Sequence, residues 1–518
     1  VVRPEPFPGY SWLLRTIIWV LVPAFAAWQF VRLKRAFHVF QLESYKRPWF
    51  RQWCAAEPRR RLFLERFEGA KKPLVMTGRA WRTIITGTAL TIFGILIPSG
   101  LMHINFGTPF DLITCSLMFA VMFVAVPEVL MLSDLLMTPI QKAINWGYLR
   151  AARRKLHRIR PIVVGVTGSY GKTSTKFAIE RIVGASARVL ATPSSFNTPL
   201  GVARTINEFL EDSHEVFVVE MGARQVGDVA AICRAVAPTV AVLTAIGPAH
   251  LETFGSLEAI RRTKFEIVRS LPAGGIAVLN VDDPEVAALA APGPHPPELT
   301  LPQGVKVIRY GLDQALAPDV TAVDVRQGAR GTDLTVVAGD VRIEGRTRLL
   351  GKHALGHLLA GVAVAVALEH DLGPIPRALQ DMEPVEHRLQ IIEGAGGVIV
   401  IDDAYNSNPE GAAEALEVLK KMPGGQKIVI TPGMVELGDR QRSANIELGR
   451  RAAEVADVLI AVADINGPWL LEGAAAVPQG AKAIAVRSLA EATERLAGLV
   501  SRGDVVLFEN DLPDQYER

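Results

Sequence analysis

Cysteine is scarce in this 518-residue sequence: Cys54, Cys115 and Cys233 are the three present, far apart and without a CxxC spacing. Three thiols cannot pair completely, so a disulfide scaffold and a cysteine-built zinc site are both disfavoured, and a reducing compartment fits best. Charge is also sparse, at 21% of residues, against 49% apolar and a mean hydropathy of +0.23. That balance argues against long disordered regions and leaves room for membrane segments. Acidic residues are missing from 141–160, and all charge is missing from Thr16 to Val31. The net charge of +3 conceals this unevenness, since residues 1–160 carry +15 and residues 161–518 carry −12. Two physically different halves share one chain, whose length suits roughly three to four domains at about 150 residues each.

Three apolar stretches mark the first half as an α-helical membrane domain, 1–160. The first, Thr16 to Val31, is flanked by Trp12, Trp19 and Trp28, residues suited to the lipid interface. Its sixteen residues reach only about 24 Å at helical rise. Spanning about 30 Å requires Leu13 and Leu14 as well, with Arg15 snorkelling outward. A signal peptide is the alternative, and Pro23, the tryptophans and the lack of a small-residue cleavage site argue against it. Thr83 to Phe110 is the second stretch, with a Pro98-Ser99-Gly100 break, and Leu112 to Met137 is the third. Fourteen Lys or Arg in 32–82 and seven in 141–160 place both regions on the cytosolic side. The N-terminus then lies outside, and everything after Arg160 is cytosolic, giving a multi-pass protein of the inner (cytoplasmic) membrane. The basic stretches either set topology alone or also bind membrane lipids through an anionic or phosphorylated headgroup. No nucleic-acid partner is expected, and the sequence gives no oligomeric state.

The second half opens with Pro161–Val166, a buried-strand pattern, running straight into Thr167-Gly168-Ser169-Tyr170-Gly171-Lys172-Thr173-Ser174-Thr175-Lys176 and then a helical pattern. Strand, glycine loop and helix are the order a phosphate loop needs. Gly168 and Gly171 let backbone amides close around phosphate oxygens, Lys172 adds a point charge, and Thr173 is a candidate Mg2+ ligand. Strand-like runs at 215–220, 240–244 and 276–280 alternate with helical ones. The pattern predicts a doubly wound parallel sheet whose sites lie at the carboxyl ends of strands. Glu220 and His250 fall at or beyond such ends, and with the loop they form an oxygen and imidazole set suited to Mg2+ beside ATP. Taken singly, Glu220 reads equally well as a helix-capping acid and His250 as an ordinary loop histidine.

TGSYGKTSTK, SFNTPLG (195–201), VEMGA (219–223), AHLETFGS (249–256), TKFEI (263–267), LNVDD (279–283), HRL (387–389) and IDDAYNSNP (401–409) occur in the order of the Mur ligase family. The sequence resembles that family from Pro161 to near its end, most of all the branch that adds D-alanyl-D-alanine to UDP-N-acetylmuramoyl-tripeptide. The resemblance implies a central ATPase domain, 161–383, and a Rossmann-like C-terminal domain, 384–518, that closes over it. It implies ATP and Mg2+ as cofactors and amide synthesis through an acyl phosphate. Gly168, Ser169, Gly171, Lys172, Thr173, Ser174 and Asn197 would then hold the nucleotide phosphates and metal site. Thr173 and Glu220 would ligand one Mg2+ and His250 a second, while Lys264 matches a lysine often carbamylated by CO2. Lys172, Lys264, His250 and Arg388 would form the catalytic set, with Arg388 reaching the nucleotide phosphates. Asp403, rather than Asp402, would lie near the ribose, and Tyr405, Asn406 and Asn408 would line the amine side.

Three departures stand out. His357 occupies a position where an adenine-contacting asparagine is expected. PGMVELGDRQ (432–441) and FENDLPDQYER (508–518) differ from the pattern associated with the soluble enzymes. Membrane stretches stand where a UDP-sugar-binding domain is expected. The reading is a membrane-anchored, ADP-forming amide ligase that extends a cell-envelope precursor, lipid-linked or UDP-linked, with an amino acid or dipeptide. A polyglutamate-type synthase and a non-catalytic nucleotide-binding membrane scaffold are the alternatives.

Overall fold

The computed structural model describes residues 8–42, 45–56, 73–106, 110–193, 196–249, 251–328, 331–405, 407–462 and 465–511. They fall into two units, Val1–Gly147 and Tyr148–Arg518.

The apolar stretches of the first unit form helices α1 (Pro8–Leu42), α3 (Gly78–Phe106) and α4 (Phe110–Val124), with the shorter α2 (Arg47–Ala56) and the long α5 (Val126–Ile159). Leu33, Phe37, Phe40, Phe50, Ile84 and Leu130 form its buried core. Its exterior is apolar too: Ile85, Phe93, Ile97, Ile113 and Leu117 are each more than half exposed. Among the described residues one helix, Gly78–Met102, has the length and composition to cross a membrane, and the bent pair Ile113–Val124 with Val126–Ile159 is a second candidate. Three spans were expected, and the described residues support one or two of them.

Two local expectations are corrected. Pro98 does not end α3, which runs on to Phe106, and Ser99 Oγ donates to the Ile95 carbonyl at 2.8 Å within it. The third stretch is not one helix, since α4 and α5 meet at 78° around Ala125. Pro127 has no N–H for the carbonyl of Phe123. Arg32 Nη1 donates to that carbonyl at 2.5 Å, and Gln29 Nε2 donates to the Met122 carbonyl at 2.6 Å. Two α1 side chains thus satisfy the backbone that the break releases.

The second unit holds two sheets. The first contains β1 (Ile162–Thr167), β2 (Val189–Ala191), β3 (Val216–Glu220), β4 (Val240–Leu243), β5 (Ile276–Asn280), β6 (Lys306–Tyr310), β7 (Val320–Gly328), β8 (Gly331–Ala338) and β9 (Val341–Thr347). Their order is β2-β3-β1-β4-β5-β6-β7-β8-β9, parallel through β7, with β8 and β9 added as antiparallel hairpins. β1 lies between β3 and β4 and is buried almost throughout, hence its continuous run without a charged residue, with Val163, Val164 and Val166. Helices α6 (Lys172–Val183), α7 (Asp228–Val236), α8 (Leu257–Arg269) and α9 (Lys352–Ala367) cover its faces. The second sheet contains β10 (Gln390–Glu393), β11 (Ile399–Asp403), β12 (Lys427–Thr431), β13 (Val458–Val462), β14 (Lys482–Val486) and β15 (Val505–Glu509), in the order β10-β11-β15-β12-β13-β14. All its neighbours are parallel except β10 and β11. Helix α10 (Pro409–Lys421) packs on it.

The cut between the units precedes the sequence boundary at 160. Ala152 and Leu156, on the last turns of α5, are buried in the same core as Val163, Ile206 and Phe217. Lys155 Nζ donates to the Asn207 carbonyl at 2.9 Å, and Asn207 Nδ2 to the Tyr148 carbonyl at 3.1 Å.

Candidate functional site

β1 delivers the glycine loop to the carboxyl end of the sheet, and α6 begins directly after it. Gly171 adopts φ 76°, and a Cβ there would strike the His357 ring. Gly168 similarly has no room for a side chain against Thr244 and the Ala245 backbone. Ser169 pins the loop: its N–H donates to the Ala245 carbonyl at 2.7 Å and its Oγ to the Gly247 carbonyl at 2.9 Å. Lys172 Nζ folds back onto the carbonyls of Gly168 and Ser169, at 2.8 and 3.0 Å. Burial lowers its pKa to about 8; Glu220 opposes the shift and Arg388 adds to it. Thr173 and Ser174 lie half-buried in the first turn of α6, at the positive end of its dipole.

Glu220 ends β3 and is buried. Its Oε2 receives Lys176 Nζ at 3.3 Å and its Oε1 receives Asn197 Nδ2 at 3.0 Å. Lys176 is itself fully buried, so this is an ion pair inside the domain rather than on its surface. Asn197 is also held by its backbone, whose carbonyl accepts from Gly222 N–H at 2.9 Å. Lys176 was missed as a functional residue although a signal existed: it follows Lys172 by four residues, one helical turn on. His250 lies outside the described residues. Among the described residues no group of three His, Cys, Asp or Glu is placed to hold a metal.

Lys264 is buried on α8, and burial followed by the nearby charge of Lys172 pushes its pKa well below the usual lysine value. His357 faces Thr175, with Nδ1 and Oγ1 3.1 Å apart. Burial, with His353 and Arg388 adding to it, lowers its pKa to about 3, so the ring stays neutral. Its contacts are with the phosphate loop and α6, which gives it a buttressing place that the expected adenine contact did not foresee.

Arg388 arrives from the C-terminal domain on a turn whose neighbours, His387 and Leu389, both have positive φ, 59° and 47°. Such left-handed backbone costs energy in residues other than glycine and persists where surroundings hold it. Here Asp402 Oδ2 lies 2.7 Å from His387 Nδ1, Asp403 Oδ1 accepts from Leu389 N–H at 3.1 Å, and the His387 carbonyl accepts from Tyr405 N–H at 3.2 Å. The Arg388 guanidinium lies over the Tyr405 ring, 4.4 Å from its centre. Both aspartates thus brace the arginine's turn. Asp403 also neighbours Glu509 across the β11–β15 register. Burial raises the pKa of Asp403 to about 6 and that of Glu509 well above the carboxylate range. Two buried carboxyls on adjacent strand ends cannot both ionise freely. Ser407 Oγ donates to Glu509 at 2.5 Å. Asn408 Oδ1 caps α10 by accepting from Gly411 N–H at 2.9 Å, and Asn406 lies outside the described residues. The middle and C-terminal domains are further joined by Glu414, which accepts from His353 N–H at 2.8 Å and pairs with its ring. Neither Glu509 nor Glu414 carries a local sequence signal, because each acts on residues distant in the chain.

Residues 166–365 match the Mur ligase middle domain, and residues 387–509 match the Mur ligase, glutamate ligase domain. The UDP-N-acetylmuramoyl-tripeptide--D-alanyl-D-alanine ligase of Mycobacterium leprae is 32% identical over 378 residues, covering 67% of this chain and 70% of that protein. The ligase of the same name from Mycobacterium bovis is 31% identical over 351 residues, and the chain spans just under two thirds of its length, 66%. The crystal structure of MurF ligase from Thermotoga maritima in complex with ADP superposes with a TM-score of 0.62 at 29% identity, covering 72% of this chain and 82% of that one.

Proposed function

Because this chain belongs to the Mur ligase family, we propose that it is an ATP-dependent, ADP-forming amide ligase that extends a peptidoglycan-type precursor with an amino acid or dipeptide. The observation that carries this reading is the glycine loop that β1 presents at the start of α6, with Lys172 folded onto its carbonyls and Arg388, from the other domain, near enough to lower the Lys172 pKa further. Two cations from two domains suit a γ-phosphate under attack by a carboxylate, a reaction governed by positioning and electrostatics. The glycine loop leaves room only for backbone, as a phosphate cradle requires, and Thr173 and Glu220 offer the hard oxygen donors that Mg2+ prefers. A bound Mg2+ would offset phosphate charge. Lys264, whose buried amine is pushed toward the neutral form that reacts with CO2, is suited to form a carbamate. Domain contacts through Arg388 and Glu414 would exclude water from the acyl phosphate before the amine displaces phosphate. Tyr405 and Asn406 are assigned to the amine side.

The apolar exterior of the first unit supports anchoring in the cytoplasmic membrane with the second unit cytosolic, and hence a lipid-linked precursor. The test is incubation of purified full-length protein with ATP, Mg2+, D-alanyl-D-alanine and either UDP-linked or lipid-linked muramoyl tripeptide. Phosphate release that requires both carboxylate and amine, with a product heavier by the dipeptide less water, is expected. Phosphate release indifferent to both substrates would sink the ligase reading. Product from the UDP-linked form alone would remove only the lipid part.

A further inference from the structure

One stripe of α5, formed by Asp134, Thr138 and Gln141 at helical spacing, receives three arginines from elsewhere in the first unit. Arg47 donates to Asp134 Oδ2 through Nε at 3.0 Å and to Thr138 Oγ1 through Nη2 at 2.7 Å. Arg79 Nη2 donates to Asp134 Oδ1 at 2.8 Å, and Arg82 Nη2 to Gln141 Oε1 at 2.6 Å. Asp134 is almost wholly buried, whereas the Arg47 and Arg79 side chains keep about a third of their surface, 35% and 30%. Arg79 also lies over the Tyr45 ring, 4.0 Å from its centre, which fixes its plane. A single carboxylate therefore moors two guanidiniums from beneath, with a third beside them. Nη1 of Arg47 and Nη1 of Arg79 have no hydrogen-bond partner among the described residues. Such a group is undercompensated, and planar forks held in fixed orientation are what phosphate oxygens pair with best. Its place in the fold adds the rest. Exposed Trp81 stands beside Arg82, and exposed Ile85 begins the apolar face of α3 one turn on. An aromatic and cationic rim bordering an apolar face is the pattern of a bilayer surface.

We propose that Arg47, Arg79 and Arg82 form a binding site for a phosphate group carried on a lipid at the membrane surface. The lipid source rests on the membrane reading given above; the phosphate chemistry rests on the arginines alone.

The full chain, solubilised in a neutral detergent, is titrated separately with phosphatidate, with oleate as an anion lacking phosphate, and with inorganic phosphate, and binding is counted by native mass spectrometry. Phosphatidate should bind about tenfold more tightly than oleate, a ratio one charge-assisted contact supplies. Arg47→Gln and Arg79→Gln should each erase that preference, and Arg79→Lys should restore only part of it because the fork is lost. Should removal of an Asp134 partner unfold the unit, Arg82→Gln, which gives up only its Gln141 contact, carries the same prediction. Equal binding of phosphatidate and oleate, or a preference untouched by all these substitutions, overturns the site. Inorganic phosphate binding as tightly as phosphatidate overturns the lipid source while upholding the phosphate site. ATP turnover is measured on the same samples, so loss of the ligase reading with lipid preference intact is a separate result.

Discussion

Lys172 is held in two conflicting ways: its ammonium is hydrogen-bonded to loop carbonyls, yet burial lowers its pKa to about 8 from an ordinary 10.5. Between those values the unfolded chain holds the proton that the fold releases, so stability without nucleotide rises with pH from about 8 to 10.5. Nucleotide phosphate favours the charged amine, so binding above pH 8 takes up a proton and weakens as pH rises. Calorimetry of ATP binding at pH 8.5 in buffers of different ionisation enthalpy should report that uptake, and Lys172→Ala should abolish it along with turnover. Lys176 makes a different prediction. It neutralises Glu220 in the interior, so Lys176→Met strands a buried carboxylate and should cost about 3–5 kcal/mol of unfolding free energy in urea titrations. A loss below about 1 kcal/mol would mean that Asn197 or water satisfies Glu220 alone.

Among elements, α5 is the informative one. Its last turns are crowded with Lys and Arg, so the sequence reads them as a solvated basic tail and places the domain start at 161. Two apolar residues among those charges, Ala152 and Leu156, are nevertheless core. A fragment beginning at 148 should therefore melt several degrees above one beginning at 161, since burying a leucine alone stabilises by about 1.5–3 kcal/mol. Equal melting points would restore the later boundary. The β1-loop-α6 unit was legible because its signals are local: a valine run, two glycines at fixed spacing, and a helix start. The break between α4 and α5 was not, because Pro127 alone does not distinguish a kinked span from two helices. What decides it is Arg32 and Gln29, about ninety residues away, taking up the released carbonyls (separations of 91 and 93). The brace around Arg388 was hidden for the same reason. HRL and IDDAYNSNP were each readable, but not that the second motif's two aspartates hold the first motif's left-handed turn.

At the scale of the whole molecule, the +15 and −12 halves admit two modes of membrane attachment with opposite responses to salt. A basic collar on a soluble protein is held by screened charge, and raising ionic strength to 1 M, where the screening length is about 3 Å, strips it from an anionic surface. Exposed Ile85, Phe93, Ile97, Ile113 and Leu117 would instead be held by burial in hydrocarbon, which salt strengthens rather than weakens. The full chain should accordingly co-float with phosphatidylcholine vesicles, which offer no net charge, and stay with them through 1 M salt and alkaline carbonate. The fragment 148–518 should remain at the bottom of the same gradient. Release of the full chain by salt alone would assign attachment to the basic stretches and leave the apolar faces to a protein partner. Retention of both would place the attachment in the ligase unit itself, where no exposed helix of comparable length and hydropathy occurs among the described residues.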